Sequence, residues 1–234
     1  MTDRPVCVIT GASRGLGAAL VPAFAKAGYH VVALARTVGG LEAVDDHVQA
    51  ETGQRATLVP LDIRDGEAID RLGAALYERF GKVDVVISNA ATMGALSPVA
   101  QSAPKPFEEA WRTNCEGPYR LIRSMDPLLR QADSGCFIGV TCVAAIDQAP
   151  FWGAYGASKA GFERMVMAYA SELVGVANTR VNLVDPGPMA TRLRDMAFPG
   201  EPADKQPDPV SKAEHFLALA DRDDDRHGER IILP

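Results

Sequence analysis

The residue pair in this chain best suited to move a proton is a tyrosine and a lysine four positions apart, Tyr155 and Lys159. Residues at this spacing share one face of a helix, so the two side chains are expected to lie together. An ammonium beside a phenol favours the phenolate and is expected to lower the tyrosine pKa from about 10. Such a group can donate or accept a proton near neutral pH, as carbonyl reduction and alcohol oxidation both require.

The elements that would position this pair follow a simple alternation. Short apolar runs typical of buried strands alternate with longer helical patterns, as in a parallel sheet covered on both faces. We predict one α/β domain over residues 1–234, a Rossmann-type doubly wound parallel sheet of about seven strands with right-handed crossovers. The predicted strands are Val6–Thr10, His30–Ala35, Ala56–Leu61, Val83–Ser88, Cys136–Thr141, Thr179–Val184 and Glu229–Leu233; the predicted helices are Gly15–Ala27, Leu41–Glu51, Glu67–Phe80, Phe107–Leu129, Tyr155–Val174 and Val210–Ala220.

One stretch, about residues 188–210, breaks the alternation because it is rich in proline and polar residues. Loops of this length inside a compact domain are usually lids or disordered segments. Because the stretch follows the end of a predicted strand, where ligands bind in such sheets, we favour a lid over a substrate site.

The first strand runs into a glycine-rich turn, Thr10-Gly-Ala-Ser-Arg-Gly-Leu-Gly17. Glycines at positions 11, 15 and 17 permit a tight turn and the close approach of a backbone to a pyrophosphate. The helix that begins there offers free N–H groups and the positive end of its dipole. An ordinary strand-to-helix turn is the alternative, but the position after the first strand of an alternating chain favours dinucleotide binding.

The choice between the two nicotinamide dinucleotides is read at the end of the second strand. An acidic residue there would bond the ribose hydroxyls of NAD, whereas an arginine would pair with the 2′-phosphate of NADP. The strand ends in Arg36 without a carboxylate, and Arg14 in the glycine turn is a second cation that could reach the same phosphate. Either arginine alone could be a solvated surface charge, but together they favour NADP(H) over NAD(H).

These motifs, in this order along almost the whole chain, resemble those of the short-chain dehydrogenase/reductase family. The run Trp152-Gly-Ala-Tyr155 and the segment Arg192–Glu201 are similar to bacterial YciK-like members. The matching motifs are TGxxxGxG at Thr10–Gly17, Leu61-Asp62 after the third strand, Ser88-Asn89-Ala90-Ala91 at the family's NNAG with both ends changed, the helix asparagine Asn114, YxxxK at Tyr155–Lys159, and PGxxxT at Pro186–Thr191.

The resemblance implies a role for each matched residue. Tyr155 would be the general acid in reduction and the base in oxidation, and Lys159 would lower its pKa and bond the nicotinamide ribose. Asn114 would anchor a water that connects the lysine to solvent, and Asp62 would contact the adenine ring. The expected cofactor-binding residues are Gly11, Ser13, Arg14, Gly15, Leu16, Gly17, Arg36, Asp62, Ile63, Asn89, Ala90, Tyr155, Lys159, Pro186, Gly187, Met189 and Thr191.

The chain departs from the family at the position thirteen residues before Tyr155, where Cys142 replaces the expected catalytic serine. A thiol is a weaker donor than a hydroxyl, and loss of a donor to a developing oxyanion can cost on the order of 10²-fold in rate. The hydroxyl of Thr141 is expected to face the other side of its strand, unless a bulge shifts the register. Three interpretations are open: an adequate donor, the mark of a slow enzyme or a non-catalytic NADP-binding protein, and a redox-responsive thiol near Lys159.

Composition restricts the partners of this 234-residue chain. The net charge of −6 argues against nucleic acid or an anionic membrane. No apolar run approaches the roughly 18 residues of a membrane span, and the N-terminus has no signal-peptide features. The four cysteines have no metal-ligand spacing, so we expect no metal, and reduced thiols in the cytoplasm. The resemblance implies a homodimer through the Phe107–Leu129 and Tyr155–Val174 helices, or a homotetramer.

The leading hypothesis is an NADP(H)-dependent oxidoreductase that acts on a small-molecule carbonyl/secondary alcohol pair. The alternative is an NADP(H)-binding sensor or scaffold protein with little turnover, because of Cys142. The expected pocket walls are mostly apolar, which favours a hydrophobic or aromatic substrate, although the aromatic residues 151–152 could equally pack in a subunit interface. These walls are Met93, Ala144, Gln148, Phe151, Trp152, Pro188, Met189 and Phe198.

Overall fold

A computed structural model describes residues 4–234 and contains the expected parallel sheet. Seven strands in this range pair in the order β3-β2-β1-β4-β5-β6-β7, and every pairing is parallel. The predicted doubly wound fold is confirmed; the single domain over 1–234 stays a prediction whose first three residues lie outside the described range. The strands are β1 (Val6–Thr10), β2 (His30–Ala35), β3 (Thr57–Pro60), β4 (Val85–Ser88), β5 (Gly135–Val140), β6 (Thr179–Asp185) and β7 (Arg230–Ile232).

Helices cover both faces of the sheet, and alternate strand residues anchor them. Val6 and Val8 of β1 face the layer of α3, α5 and α6, whereas Cys7 and Ile9 face α1, α2 and α8. This division leaves the strands buried on both sides, which explains their nearly continuous apolar sequence. The helices are α1 (Gly15–Lys26), α2 (Val38–Thr52), α3 (Gly66–Phe80), α4 (Pro104–Trp111), α5 (Gly117–Leu129), α6 (Gly153–Leu173), α7 (Arg192–Ala197) and α8 (Ala213–Ala220).

The helix predicted over Phe107–Leu129 is in fact two helices joined by a π-helical turn. Helix α4 begins at Pro104, three residues earlier than expected, and the π turn spans Arg112–Glu116 before α5 continues. A π turn accommodates one extra residue within a helix and frequently occurs at functional sites. Here it contains Asn114, one of the expected catalytic residues.

The segment 188–210 contains more regular structure than its proline content indicates. Thr191 begins α7, and its hydroxyl oxygen accepts a hydrogen bond from the backbone N–H of Arg194 at 3.3 Å. The Arg194 guanidinium then binds Glu201 through two contacts of 2.6 and 2.9 Å.

The described part of the chain has no helix that is both long enough and apolar enough to cross a membrane.

Candidate active site

A cavity of about 1090 Å³ opens at the carboxyl ends of the strands, where ligands bind in doubly wound sheets. It extends from the glycine turn after β1 to helix α7 and the loop after β5. Of the expected catalytic and cofactor-binding residues, all but Gly17 and Asn114 line this cavity. The fold therefore brings together, in one place, motifs that lie far apart in the sequence.

The glycine turn has the geometry that a pyrophosphate cradle needs. Gly11 and Gly15 both adopt positive φ, 68° and 53°, which side-chain-bearing residues rarely tolerate. A Cβ on Gly15 would contact Thr191 at 3.2 Å, so a side chain would crowd the cavity wall. Gly17 lies behind the turn, where a Cβ would come within 2.3 Å of the Gly11 carbonyl oxygen. Since α1 begins at Gly15, its free N–H groups point into this cradle.

The turn is fastened to the neighbouring strand by Thr10 and Asn89. The Thr10 hydroxyl oxygen accepts hydrogen bonds from the backbone N–H groups of Asn89 and Ala90, at 2.9 and 3.0 Å. In return, the Asn89 side-chain amide donates to the Thr10 carbonyl at 2.9 Å. These contacts join the ends of β1 and β4, the two strands between which the strand order reverses.

The end of the cavity beside β2 carries the two predicted cations and one acid. Arg14 and Arg36 are both exposed, and the Arg36 guanidinium lies 3.9 Å from the Asp62 carboxylate. That carboxylate is bound more tightly by Arg64, through contacts as short as 2.6 Å, which lower the pKa of Asp62. Asp62 is thus fixed as a carboxylate on the cavity wall, and Arg64 is a partner that the sequence motifs did not indicate.

Tyr155 and Lys159 both lie on α6 and are almost fully buried, with 5% and 3% of their surfaces exposed. The Lys159 ammonium donates to the Val140 carbonyl oxygen at 2.9 Å, at the end of β5. Burial lowers the pKa of Lys159, and the nearby Cys142, Glu163 and Asp185 oppose this shift. The ammonium is therefore bound at the floor of the cavity.

The expected lowering of the Tyr155 pKa is not what the structure gives. The pKa of Tyr155 is raised well above its usual value, first because the phenol is buried. The neighbouring Cys142 thiol and the Asp185 carboxylate raise it further. Desolvation disfavours the charged phenolate, so burial raises the pKa that the spacing to Lys159 was expected to lower. In this state of the protein, Tyr155 is a protonated acid at neutral pH.

Asn114 occupies the π turn behind the cavity, where its side chain is fully buried and bound at both ends. Its amide oxygen accepts from the backbone N–H of Thr92 at 2.8 Å, and its amide nitrogen donates to the Thr92 carbonyl at 2.8 Å. The same nitrogen donates to the Ser158 hydroxyl at 2.9 Å. The side chain thus joins the loop after β4 to the helix that carries Tyr155 and Lys159.

Cys142 and Thr141 have separate surroundings although both border the cavity. Cys142 is partly exposed and belongs to the apolar cluster around Tyr155. The Thr141 hydroxyl instead donates to the Glu163 carboxylate at 2.6 Å, and the residue is only 3% exposed. The expectation that Thr141 does not take the place of the missing serine agrees with this geometry.

The substrate end of the cavity is apolar and aromatic. Trp152 packs edge-on against Tyr155, with ring centroids 5.8 Å apart, and lies 5.9 Å from the Phe198 ring. The guanidinium of Arg194, a residue of α7, stacks over the Phe198 ring, with its central carbon 3.7 Å from the ring centroid. Six of the eight residues expected to form the walls are there: Met93, Ala144, Trp152, Pro188, Met189 and Phe198.

The other two expected wall residues, Gln148 and Phe151, lie outside the cavity. Phe151 is 54% exposed and adopts a positive φ of 73°, which is unusual for a residue with a side chain. Its carbonyl oxygen accepts from the backbone N–H of Ser97 at 3.0 Å, which fixes this conformation. The backbone turn at Phe151 places the following residue, Trp152, on the cavity wall.

Two residues that the sequence analysis did not single out, Arg230 and Glu163, connect parts of this site. The Arg230 guanidinium on β7 borders the cavity and bonds to the Glu163 carboxylate of α6 at 3.0 Å. The one available signal for Arg230 was its place within the predicted strand Glu229–Leu233, directly before an apolar run. Glu163 gave none, because acidic residues are common on helix surfaces.

Comparison with known proteins identifies the class to which this fold and site belong. The family model for short chain dehydrogenases matches residues 5–202, and the chain therefore belongs to the short-chain dehydrogenase/reductase family of oxidoreductases. The oxidoreductase YciK of Escherichia coli strain K12, which is uncharacterised, is 28% identical over 228 residues, covering 97% of this chain and 89% of YciK. The expected resemblance to YciK-like members is confirmed.

Two solved structures of short-chain dehydrogenases are similar over nearly the whole chain. One, from Shigella flexneri 2a strain 301 in complex with NADP, gives a TM-score of 0.93 at 28% identity and covers 99% of this chain and 97% of its own. The other, from Escherichia coli CFT073 in complex with NADPH, has the same TM-score, identity and coverage of both chains.

Proposed function

We propose that this protein is an NADP(H)-dependent oxidoreductase that reduces an uncharged, apolar or aromatic carbonyl compound to the alcohol, or catalyses the reverse reaction. The observation that carries the proposal is that the buried Tyr155 and the glycine turn open into one continuous cavity. A dinucleotide bound along the turn would thereby bring its reactive end to the tyrosine. The residues present fit such a group, since Gly11 and Gly15 line the cavity without side chains and, with their positive φ, form the turn from which α1 begins.

Each residue of the site has a task in this reaction. The hydride itself is supplied by the nicotinamide ring when the cofactor is bound. Tyr155 donates the proton to the carbonyl oxygen, and its raised pKa keeps it protonated for that step. Cys142 lies beside the tyrosine as a donor to the same oxygen, and Lys159 is placed to bond the ribose and support the phenol. Through its hydrogen bond to Ser158, Asn114 fixes α6, the helix that carries Tyr155 and Lys159.

The substrate class follows from the charges at the cavity wall. Arg194 is neutralised by Glu201 at 2.6 Å, and Arg230 by Glu163 and Asp185 at 3.0 and 3.1 Å. Neither of these two cations is left to bind a carboxylate or phosphate of the substrate; Arg192, which also lines the cavity, is exposed. The aromatic rings of Trp152 and Phe198 favour a flat or apolar compound instead.

A second candidate function, an NADP(H)-binding sensor or scaffold with little turnover, is favoured by one observation, the thiol at Cys142. The two functions are separated by titrating NADPH and then following its consumption with a panel of aromatic ketones, aldehydes and quinones. We expect both binding and turnover. Tight binding without turnover over the whole panel would support the sensor.

A cytoplasmic location also stays a prediction, resting on four free thiols.

The preference for NADP(H) is expected to depend on Arg36. Two similar proteins were crystallised with NADP or NADPH, and the Arg36 side chain is 55% exposed at the end of the cavity beside β2. A charge-assisted bond to the 2′-phosphate contributes about 1.5–3 kcal/mol. Replacing Arg36 with Gln should therefore raise the Kd for NADPH by roughly 10- to 150-fold, while the Kd for NADH stays the same.

Isothermal titration with both cofactors checks this prediction. Arg71→Gln is the matched control, because Arg71 lies on the outer surface of α3 with 68% of its side chain exposed. Wild-type protein that binds NADH as tightly as NADPH, or an R36Q variant that loses both equally, would contradict the assignment.

The oligomer we propose is a homodimer through an apolar face on α4 and α5. Phe107, Trp111 and Tyr119 are 40%, 42% and 44% exposed there, and Trp111 contacts Gly161 of α6. A partner that buries these rings would remove an unusual amount of apolar surface from water. A homotetramer would need a second interface.

A charge in the middle of that face should dissociate the dimer. We expect Trp111→Arg to sediment as a monomer at micromolar concentration in analytical ultracentrifugation, with a circular dichroism spectrum like that of the wild type. Tyr77→Arg on α3 is the control, because Tyr77 is 59% exposed but lies on a different helix. A monomeric wild type, or a W111R variant that remains dimeric, would rule out this interface.

A further inference from the structure

We propose that Arg230 is a positioning residue that holds together the three chain segments carrying the reacting groups. This inference rests on the proposed oxidoreductase function and concerns a residue on the seventh strand, far in sequence from the tyrosine and lysine. Arg230 itself donates to no substrate atom in the proposal. It acts through the backbone and side chains of its neighbours.

One guanidinium makes a contact to each of three segments. Its Nε donates to the Glu163 carboxylate of α6 at 3.0 Å. Its Nη2 donates to the Asp185 carboxylate at the end of β6 at 3.1 Å and to the Cys142 carbonyl oxygen after β5 at 3.2 Å. The fork of an arginine can reach several acceptors in fixed directions, as a lysine cannot.

Each of these contacts lies next to a group of the active site. Glu163 follows Lys159 by one helical turn on α6, so it fixes the rotation of the helix that carries the lysine. The other carboxylate oxygen of Asp185 accepts from the backbone N–H of Gly187 at 3.0 Å, within the Pro186–Thr191 motif that is expected to bind the cofactor. Arg230 holds Cys142 directly, through the hydrogen bond to the Cys142 carbonyl oxygen.

The network is buried, which distinguishes it from a surface ion pair. The side chains of Arg230, Glu163 and Asp185 are 19%, 12% and 7% exposed. Glu163 also accepts the Thr141 hydroxyl at 2.6 Å, which fixes the residue immediately before the thiol. A buried charge that loses its partner strongly destabilises the folded protein. Arrangements that break any of these ion pairs are therefore disfavoured, and the network is expected to keep one geometry.

A second buried arginine provides a matched control. Arg180 lies at the start of β6, at the opposite end of the sheet from the cavity, and pairs with Asp224 at 3.6 Å. The two side chains are 10% and 7% exposed. Removing Arg180 therefore also breaks a buried ion pair, but it leaves the active-site segments connected.

The first test compares Arg230→Met, Arg230→Lys and Arg180→Met in steady-state kinetics with NADPH. Displacement of reacting groups by about 1 Å can cost on the order of 10²-fold, so we expect kcat of R230M to fall by roughly 10- to 100-fold. The KM for NADPH should change little, and R230K should recover part of kcat. R180M should lose stability toward urea but keep its kcat. A kcat for R230M equal to that of R180M would overturn the proposal.

The second test does not require turnover, so it separates a failure of this inference from a failure of the proposed function. The rate at which iodoacetamide alkylates Cys142 is measured by peptide mass spectrometry, with Cys115 as the internal reference. Release of the strand end should make Cys142 react roughly threefold faster or more in R230M, because local opening exposes it. R180M should react like the wild type. An unchanged or slower Cys142 rate in R230M overturns the proposal, whatever the kinetics show.

Discussion

Tyr155→Phe is expected to lower turnover by about 10²- to 10⁴-fold while leaving the Kd for NADPH nearly unchanged, because proton transfer from a positioned side chain contributes on that order. The substitution removes one hydroxyl from a residue that is 5% exposed and packed against Trp152. The ring, its packing and the glycine turn all remain. What is lost is the group that would donate to the carbonyl oxygen.

The matched control for this variant is Tyr169→Phe on the same helix. Tyr169 is 7% exposed and its hydroxyl donates to the Asp126 carboxylate at 2.8 Å; it lies about four helical turns beyond Tyr155, near the other end of α6 and outside the cavity. This variant should unfold at a lower urea concentration, since it leaves a carboxylate with one bond fewer, and should keep its activity. If Y155F retained more than a tenth of the wild-type turnover, Tyr155 would not be the proton donor.

Cys142→Ser is expected to raise kcat about tenfold or more, because a hydroxyl is a stronger hydrogen-bond donor than a thiol and such donors to an oxyanion contribute on the order of 10²-fold. The position is favourable, since Cys142 packs in the apolar cluster around Tyr155 and both residues line the cavity. Thr141 offers no competing hydroxyl, because its side chain is bound to Glu163. The gain should be in kcat rather than in the Kd for NADPH.

Cys142→Ala completes the comparison and separates the three interpretations of the thiol. An order of activity Ser > Cys > Ala would identify a working but weakened donor. A loss of activity in C142S would mean instead that the site is adapted to sulfur. A redox role would show as a loss of wild-type activity on mild oxidation that C142S does not share. These measurements use one substrate and one assay throughout.

The sheet could be predicted from the sequence because its strands are apolar on both faces and are separated by helical patterns. The interruption between α4 and α5 could not. The apolar periodicity runs through it without a break, and the π turn depends on contacts of Asn114 with Thr92 and Ser158, which lie 22 and 44 residues away. Likewise, α7 forms in a proline-rich segment because a Thr191 cap and the Arg194–Glu201 pair stabilise it.

The site was predictable wherever its residues form a local motif. The glycine turn and the tyrosine–lysine pair were identified from spacing alone, and both border the cavity. The predicted direction of the Tyr155 pKa shift was wrong. The spacing of two residues on one helix does not indicate whether they are buried, nor which residues from other elements, such as Asp185 of β6, lie beside them. Arg230 was missed for the same reason, since its partners come from three other segments.

If the dinucleotide binds as proposed, the junction between Thr10 and Asn89 would link the supply of nucleotide to the lifetime of the protein in the cell. The two residues are 79 positions apart, so the cradle is complete only after β4 has joined β1, a long-range step of the kind that slows folding. A dinucleotide that spans the junction selects the assembled sheet and stabilises it by about 2.7 kcal/mol at a hundred times its Kd. Chains made when the nucleotide is scarce would open more often and be degraded sooner.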